Sequence, residues 1–347
     1  MTQNFTLYEI YQLAGGADDE QFDTTRLPFE IIQGVRIEEV SSFLKADTFT
    51  FVEPRMGSDA ARDLQQVQIA LVHRYQSESG IYMNQEEEQI RTSAQLVYNL
   101  AACLRLIRPM RQSALLMQGT VRDDGTFDVL KFDHPLEFHE VPEVQKHFTL
   151  RNRDADELKR RAPEFLRAMN GPYWKFRMAA QFHELGHFQP WQAKARYILW
   201  SCAIESIYTS HHQEHMGSLV ARERIKWFLG ASTSIYAPGD ISTLLPQPAI
   251  SVGEIVNDLY KVRNFIAHGD RIPDSFFSDA RRHGFNGRVP TFEVLLEAAS
   301  FIVRSSLLKI LRDQLLDNFA DAAPAEAYFG KAGLTRSELR RRFATKP

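Results

Sequence analysis

The chain has 347 residues, 44% of them in the set AVILMFWYC and 24% charged, with a formal net charge of −3. That is ordinary globular composition at a length suited to two domains with sizeable cores, and two cysteines, Cys103 and Cys202, exclude a disulfide framework and point to a reducing compartment. No run of about 18 apolar residues occurs, and the opening MTQNFTLYEIYQLAGGADDE has neither a basic segment nor a long apolar one, so a soluble cytoplasmic protein without a signal peptide is expected.

The charge is unevenly spread. Residues 1–90 hold 6 Lys/Arg against 16 Asp/Glu, a net of −10, and the remainder is +7. An acidic part on a mildly basic one is compatible with a polyanion partner, although such charges are more often a solvated face.

In chain order, residues 1–58 are mixed, with FEIIQGVRI and DTFTFVEP reading as short strands. Residues 59–76 have helical spacing, with Leu64, Val67, Leu71 and Val72 on one side. Residues 86–111 form a longer helical stretch ending near Pro109, and in LLMQGTVRDDGTFDVLKF an Asp-Asp-Gly separates two alternating runs, predicting a hairpin. From about residue 153 the chain reads as helical, punctuated at Gly171-Pro172, Pro190, Gly217, Gly230, Pro246, Pro248, Gly269 and Pro273. The expected organisation is an α+β N-terminal domain over 1–150, a helical bundle over 151–330 and a basic C-terminal tail over 331–347.

The helix predicted at about 251–268 is the most informative segment. Val252, Ile255, Val256, Leu259, Val262 and Ile266 make a core stripe, and Asn257, Lys261, Asn264 and His268 lie opposite, with Arg263 at the edge. Gly269 stops the helix, so Arg263, Asn264 and His268 share its last turn and a half. By residue type alone this is an ordinary helix end, with a cationic residue at the negative dipole terminus followed by a glycine cap.

The run LYKVRNFIAHGD, residues 259–270, resembles the signature helix of HEPN-domain proteins: an Arg, four to six residues, then His, with a polar residue directly after the Arg. Here these are Arg263, His268 and Asn264. The segment YILWSCAIESIYTS, 197–210, resembles the apolar helix with a Leu/Ile-Glu pair in Apea-like HEPN domains, and RERIKWFLG, 222–230, fits the helix between. The resemblance covers roughly residues 175–315 and implies a mainly α fold, with a HEPN-type bundle behind a smaller α+β domain. It further implies a metal-independent endoribonuclease with no cofactor, working as a homodimer whose Arg/His helix ends meet at a composite site.

The residue types suit that chemistry. The 2′-hydroxyl of RNA attacks the adjacent phosphate, so a base must take its proton and an acid must protonate the 5′ leaving oxygen. Imidazole titrates near neutrality and serves both tasks, and guanidinium stabilises the charge that develops on phosphate. Asn264 would orient the imidazole or bond a phosphate oxygen. The resemblance also brings non-catalytic RNA-binding or dimerisation modules, a link to bacterial defence and growth arrest, and a regulatory partner. Sensing a trigger, recruiting RNA or silencing the nuclease are the roles left to residues 1–150.

A competing motif is HELGH, residues 183–187. On a helix, His183 and His187 can hold one zinc with Glu184 as general base, as in a metallopeptidase. The third ligand such a centre needs would be Glu205, 18 residues after His187. Pro190 places His187 in a last, fraying turn, which reads more plainly as two partly exposed histidines near a helix end. His211, His212 and His215 form a further cluster with a metal-compatible spacing, and the basic runs 159–161 and 340–342, the latter beside Phe343, could track phosphates or stack a base, although both more often mark solvated faces. No phosphate-loop, dinucleotide-fold or serine-hydrolase motif is present.

Overall fold

The computed structural model describes residues 3–10, 22–39, 69–76, 83–108, 116–121, 127–133, 150–187, 192–209, 217–235, 250–274, 276 and 292–344. The described residues are mainly helical, with a six-stranded antiparallel sheet. The chain divides into two compact units, one of Met1–Phe138 with His147–Arg167 and one of His139–Lys146 with Ala168–Pro347.

The first unit holds strands β1 (Gln3–Ile10), β2 (Phe29–Ile32), β3 (Val35–Glu39), β4 (Ile69–Tyr75), β5 (Leu116–Val121) and β6 (Phe127–Asp133), in the order β2-β3-β4-β1-β5-β6. FEIIQGVRI is a pair of strands that turns at Gly34, whose φ of 80° favours glycine. The predicted hairpin is β5 paired to β6, with its Asp-Asp-Gly turn outside the described residues, as is DTFTFVEP. The segment expected to be helical across 59–76 holds β4 instead. Ile69, Ala70, Leu71 and Val72 are all buried, because this strand lies inside the sheet, and a strand covered on both faces loses its alternation.

Helix α1 (Met83–Ile107) buries Val97, Leu100, Ala101, Cys103 and Leu104, and it packs on β1. Between them runs a hydrogen-bonded chain. Ser93 Oγ lies 2.5 Å from Thr6 Oγ1 and 2.8 Å from His73 Nδ1, and Gln118 Nε2 donates to Thr6 Oγ1 at 3.0 Å. Burial holds the His73 imidazole below its ordinary pKa. Helix α2 (Asn152–Asn170) is tied in through Arg108 to Asp154 and Arg26 to Asp156. In the basic run of this helix, Arg160 and Arg161 both pair with Glu157, and Lys159 lies over the Phe29 ring.

The second unit contains α3 (Trp174–His187), α4 (Ala193–Tyr208), α5 (Gly217–Leu229), α6 (Val252–Ala267), α7 (Phe292–Arg312), α8 (Ala322–Gly330) and α9 (Arg336–Ala344). Residues 336–344, expected within a basic tail, form α9. The mutual bonds of Thr335 and Glu338 cap it, and Leu339 anchors it in the core. Arg340, Arg341 and Arg342 are on its exposed side. Tyr208, Phe228, Phe319 and Phe329 cluster edge to face in the core, with centroids 5.7–6.4 Å apart in the pairs that Phe228 makes with the other three.

Two buried cations close the C-terminal end of α4, where the last carbonyls of a helix lack internal partners. Lys175 Nζ donates to Ser206 O at 2.7 Å and Thr209 O at 2.5 Å. Arg224, 1% exposed, donates to Tyr208 O, Leu334 O and Glu326 and lies over the Phe329 ring. Burial first, and then the nearby Arg224 charge, bring Lys175 down to about 8, against the opposing charges of Asp321 and Glu326. The folded value lies below the unfolded one, so between pH 8 and about 10 the unfolded chain binds the extra proton and stability rises with pH. Above about 10 the sign reverses, because burial holds the Tyr197, Tyr208 and Tyr260 hydroxyls well above their ordinary pKa while the unfolded chain loses those protons. Urea unfolding from pH 7 to 11 should therefore pass through a stability maximum near pH 10, and Lys175→Met should remove its rising limb.

Candidate functional site

Helix α6 places the Arg263, Asn264 and His268 group. Its start is a capping box: Glu254 N–H donates to Ser251 Oγ at 3.3 Å, and Ser251 N–H donates to Glu254 Oε2 at 2.8 Å. Val252, Ile255, Val256, Leu259 and Val262 are buried as their spacing predicts, against α4, α5 and α7. The other end is a Schellman cap. Asp270 N–H reaches Phe265 O at 2.8 Å and Gly269 N–H reaches Ile266 O at 3.1 Å, which requires the φ of 74° at Gly269. Backbone groups alone make this cap, leaving the His268 side chain exposed just beyond the last helical residue.

Arg263 is 31% exposed and crosses to α4, where its Nη2 lies 3.0 Å from Glu205 Oε1 and 3.1 Å from Oε2. Its Nη1 donates to Asn264 Oδ1 at 3.3 Å. The structure thus joins Glu205, Arg263 and Asn264 by direct contact and sets His268 one turn after Asn264 at the same end of the helix. Glu205 holds the guanidinium in place while its other edge remains available to an anion. Cys202, one turn before on α4, is kept as a thiol by burial and then by the Glu205 charge.

Tyr260 belongs to this cluster, and sequence reasoning missed it because a tyrosine next to an apolar stripe reads as core. It is 7% exposed, and its hydroxyl is buried without a hydrogen-bond partner. Burial and then the Glu205 charge raise its pKa well above the ordinary value, against the pull of Arg263 and Arg222, so it is a neutral donor.

The HELGH residues lie elsewhere on the second unit and are more enclosed than expected. His183 and His187 are 1% and 7% exposed, not partly solvated, and their Nε2 atoms are 3.3 Å apart. Glu184 Oε1 lies 3.9 Å from His183 Nδ1. Glu205 is engaged by Arg263, and among the described residues no three His, Cys, Asp or Glu side chains come together to hold a metal. The motif has a packing role instead. Trp200 of α4 donates its indole N–H to His183 O at 3.1 Å and stacks edgewise on His187, filling the space that Gly186 leaves open. A Cβ on Gly186 would stand 2.3 Å from Trp200 Nε1, so Gly186→Ala should displace a fully buried tryptophan. The gain in helix propensity, about 1 kcal/mol, does not offset this, and a net loss of about 1–3 kcal/mol is expected in chemical unfolding. His211, His212 and His215 lie outside the described residues, and no helix among the described residues is long and apolar enough to cross a membrane. No protein-family model, no curated protein sequence and no solved structure matches the chain.

Proposed function

We propose that the chain is a metal-independent endoribonuclease of the HEPN type, with Arg263, Asn264 and His268 as its catalytic group. The observation that carries the reading is the arrangement at the end of α6, with a guanidinium held by Glu205 and Asn264 beside an open imidazole. Arg263 binds the scissile phosphate and stabilises the charge that builds on it. His268 exchanges the protons, taking one from the 2′-hydroxyl as it attacks phosphorus or giving one to the departing 5′ oxygen. One copy presents one imidazole, so the second proton transfer falls to the same residue of a second copy, and the working species is a homodimer. The products are a 2′,3′-cyclic phosphate and a 5′-hydroxyl, and DNA, which lacks the nucleophile, is inert. Growth arrest or defence in a bacterial cytoplasm, under a regulatory partner, fits an enzyme of this kind.

Neutralisation of Arg263 by Glu205 favours a second reading, in which the same cluster binds RNA or another copy without cutting. Incubation of end-labelled tRNA in excess EDTA separates the two. Cyclic phosphate ends made by the wild type and not by His268→Ala support the ribonuclease. Retarded but intact RNA, equal for both proteins, supports the binding module.

A further inference from the structure

Building on the ribonuclease reading, we infer that the pocket beside Arg263 is the subsite for one pyrimidine nucleotide of the RNA, its phosphate on the Arg263 guanidinium and a polar group of its base on the Tyr260 hydroxyl. The pocket is formed by Ser201 and Ile204 of α4, Leu259, Tyr260 and Arg263 of α6, and Ala299 of α7. Its surface is largely apolar, with charge at one side. Apolar walls, a single hydroxyl and a cation match the three parts of a nucleotide: ring faces, base edge and phosphate.

The Tyr260 hydroxyl is the independent sign of a ligand. Buried hydroxyls almost always have partners, and one without carries a cost that a phenylalanine would avoid. A partner that arrives with the substrate accounts for its retention. Arg263 keeps donors for a phosphate, because Glu205 occupies only Nη2 of a guanidinium with five N–H groups. Size selects the base. The pocket with its open mouth measures about 220 Å³, roughly seven water volumes, the scale of one substituted six-membered ring and less than a purine. Its enclosed part admits about one water-sized group, which suits a single carbonyl or amino substituent.

The test titrates CMP, UMP, AMP and GMP into the full chain by calorimetry, beside cleavage of a dinucleotide-step panel in EDTA. Pyrimidine monophosphates should bind at least about tenfold tighter than purine ones. Tyr260→Phe should weaken them about tenfold while raising the unfolding midpoint by about 2–4 °C, since it removes an unpaired buried group. Ala299→Leu, which narrows the pocket, should abolish the discrimination. Equal affinity of wild type and Tyr260→Phe, or a lowered midpoint in that variant, overturns the subsite. His268-dependent cleavage with the same base preference before and after Tyr260→Phe overturns the subsite and leaves the ribonuclease standing. Tyr260-dependent monophosphate binding without cleavage of any step does the reverse.

Discussion

Replacing His268 with alanine should lower RNA cleavage by about 10²–10⁴-fold, the usual contribution of a positioned acid or base, with no change in the unfolding transition. The two outcomes separate because of how α6 ends. Backbone N–H groups and the φ of Gly269 make the cap, and the imidazole lies outside it in solvent. Arg263→Lys should fall between wild type and alanine, since it keeps the charge but cannot hold Glu205 and a phosphate oxygen through separate N–H groups. Single-turnover rates with urea melts of the same preparations would check both. A melt that shifts by several degrees in His268→Ala would mean that the residue supports the fold, and the rate loss would then say nothing about proton transfer.

Arg224→Met should be among the most damaging changes available to this chain, at about 3–5 kcal/mol. The methionine fills part of the space but offers no donor. Tyr208 O and Leu334 O would be left buried without Arg224, and each such group costs about 1–3 kcal/mol. Glu326, 29% exposed at its side chain, can be hydrated in its place, so Glu326→Gln should cost far less. Equilibrium denaturation should show this order, and equal losses for the two variants would place the value in the ion pair instead of the helix end it caps.

The helical half was legible because its segments are long, periodic and punctuated by glycine and proline. The α6 stripe, its last turn and Gly269 all lie where the spacing predicts. The sheet was read less well, and one physical cause covers two misses. β1 and β4 are internal strands, with Asn4, Phe5, Thr6 and Leu7 all buried on one and Ile69 to Val72 on the other, so neither shows an apolar face and a polar face. In β4 the chance spacing of Leu64, Val67, Leu71 and Val72 then imitates a helix. At the candidate site, residue types and spacing located Arg263, Asn264 and His268. They did not reveal that Glu205 would hold Arg263, nor that Tyr260 would lie unpaired beside both, because these relations depend on how α4 packs on α6. Lys175 and Arg224 were invisible for a similar reason. A buried cation is legible only when the carbonyls it serves are known.

The sheet order has a consequence for biosynthesis. β1 lies between β4 and β5, so its neighbours are encoded some 60 and 110 residues after it. At roughly 5–20 residues per second, a ribosome needs on the order of ten seconds after completing β1 to deliver the second of them. Throughout that interval the nascent segment presents two open hydrogen-bonding edges along an apolar sequence, the condition under which strands pair with other chains. Production of this protein should therefore respond more strongly to chaperones that shield emerging chains than to any surface substitution on the helical unit, and slowing translation before codon 121 should lower the yield of folded product.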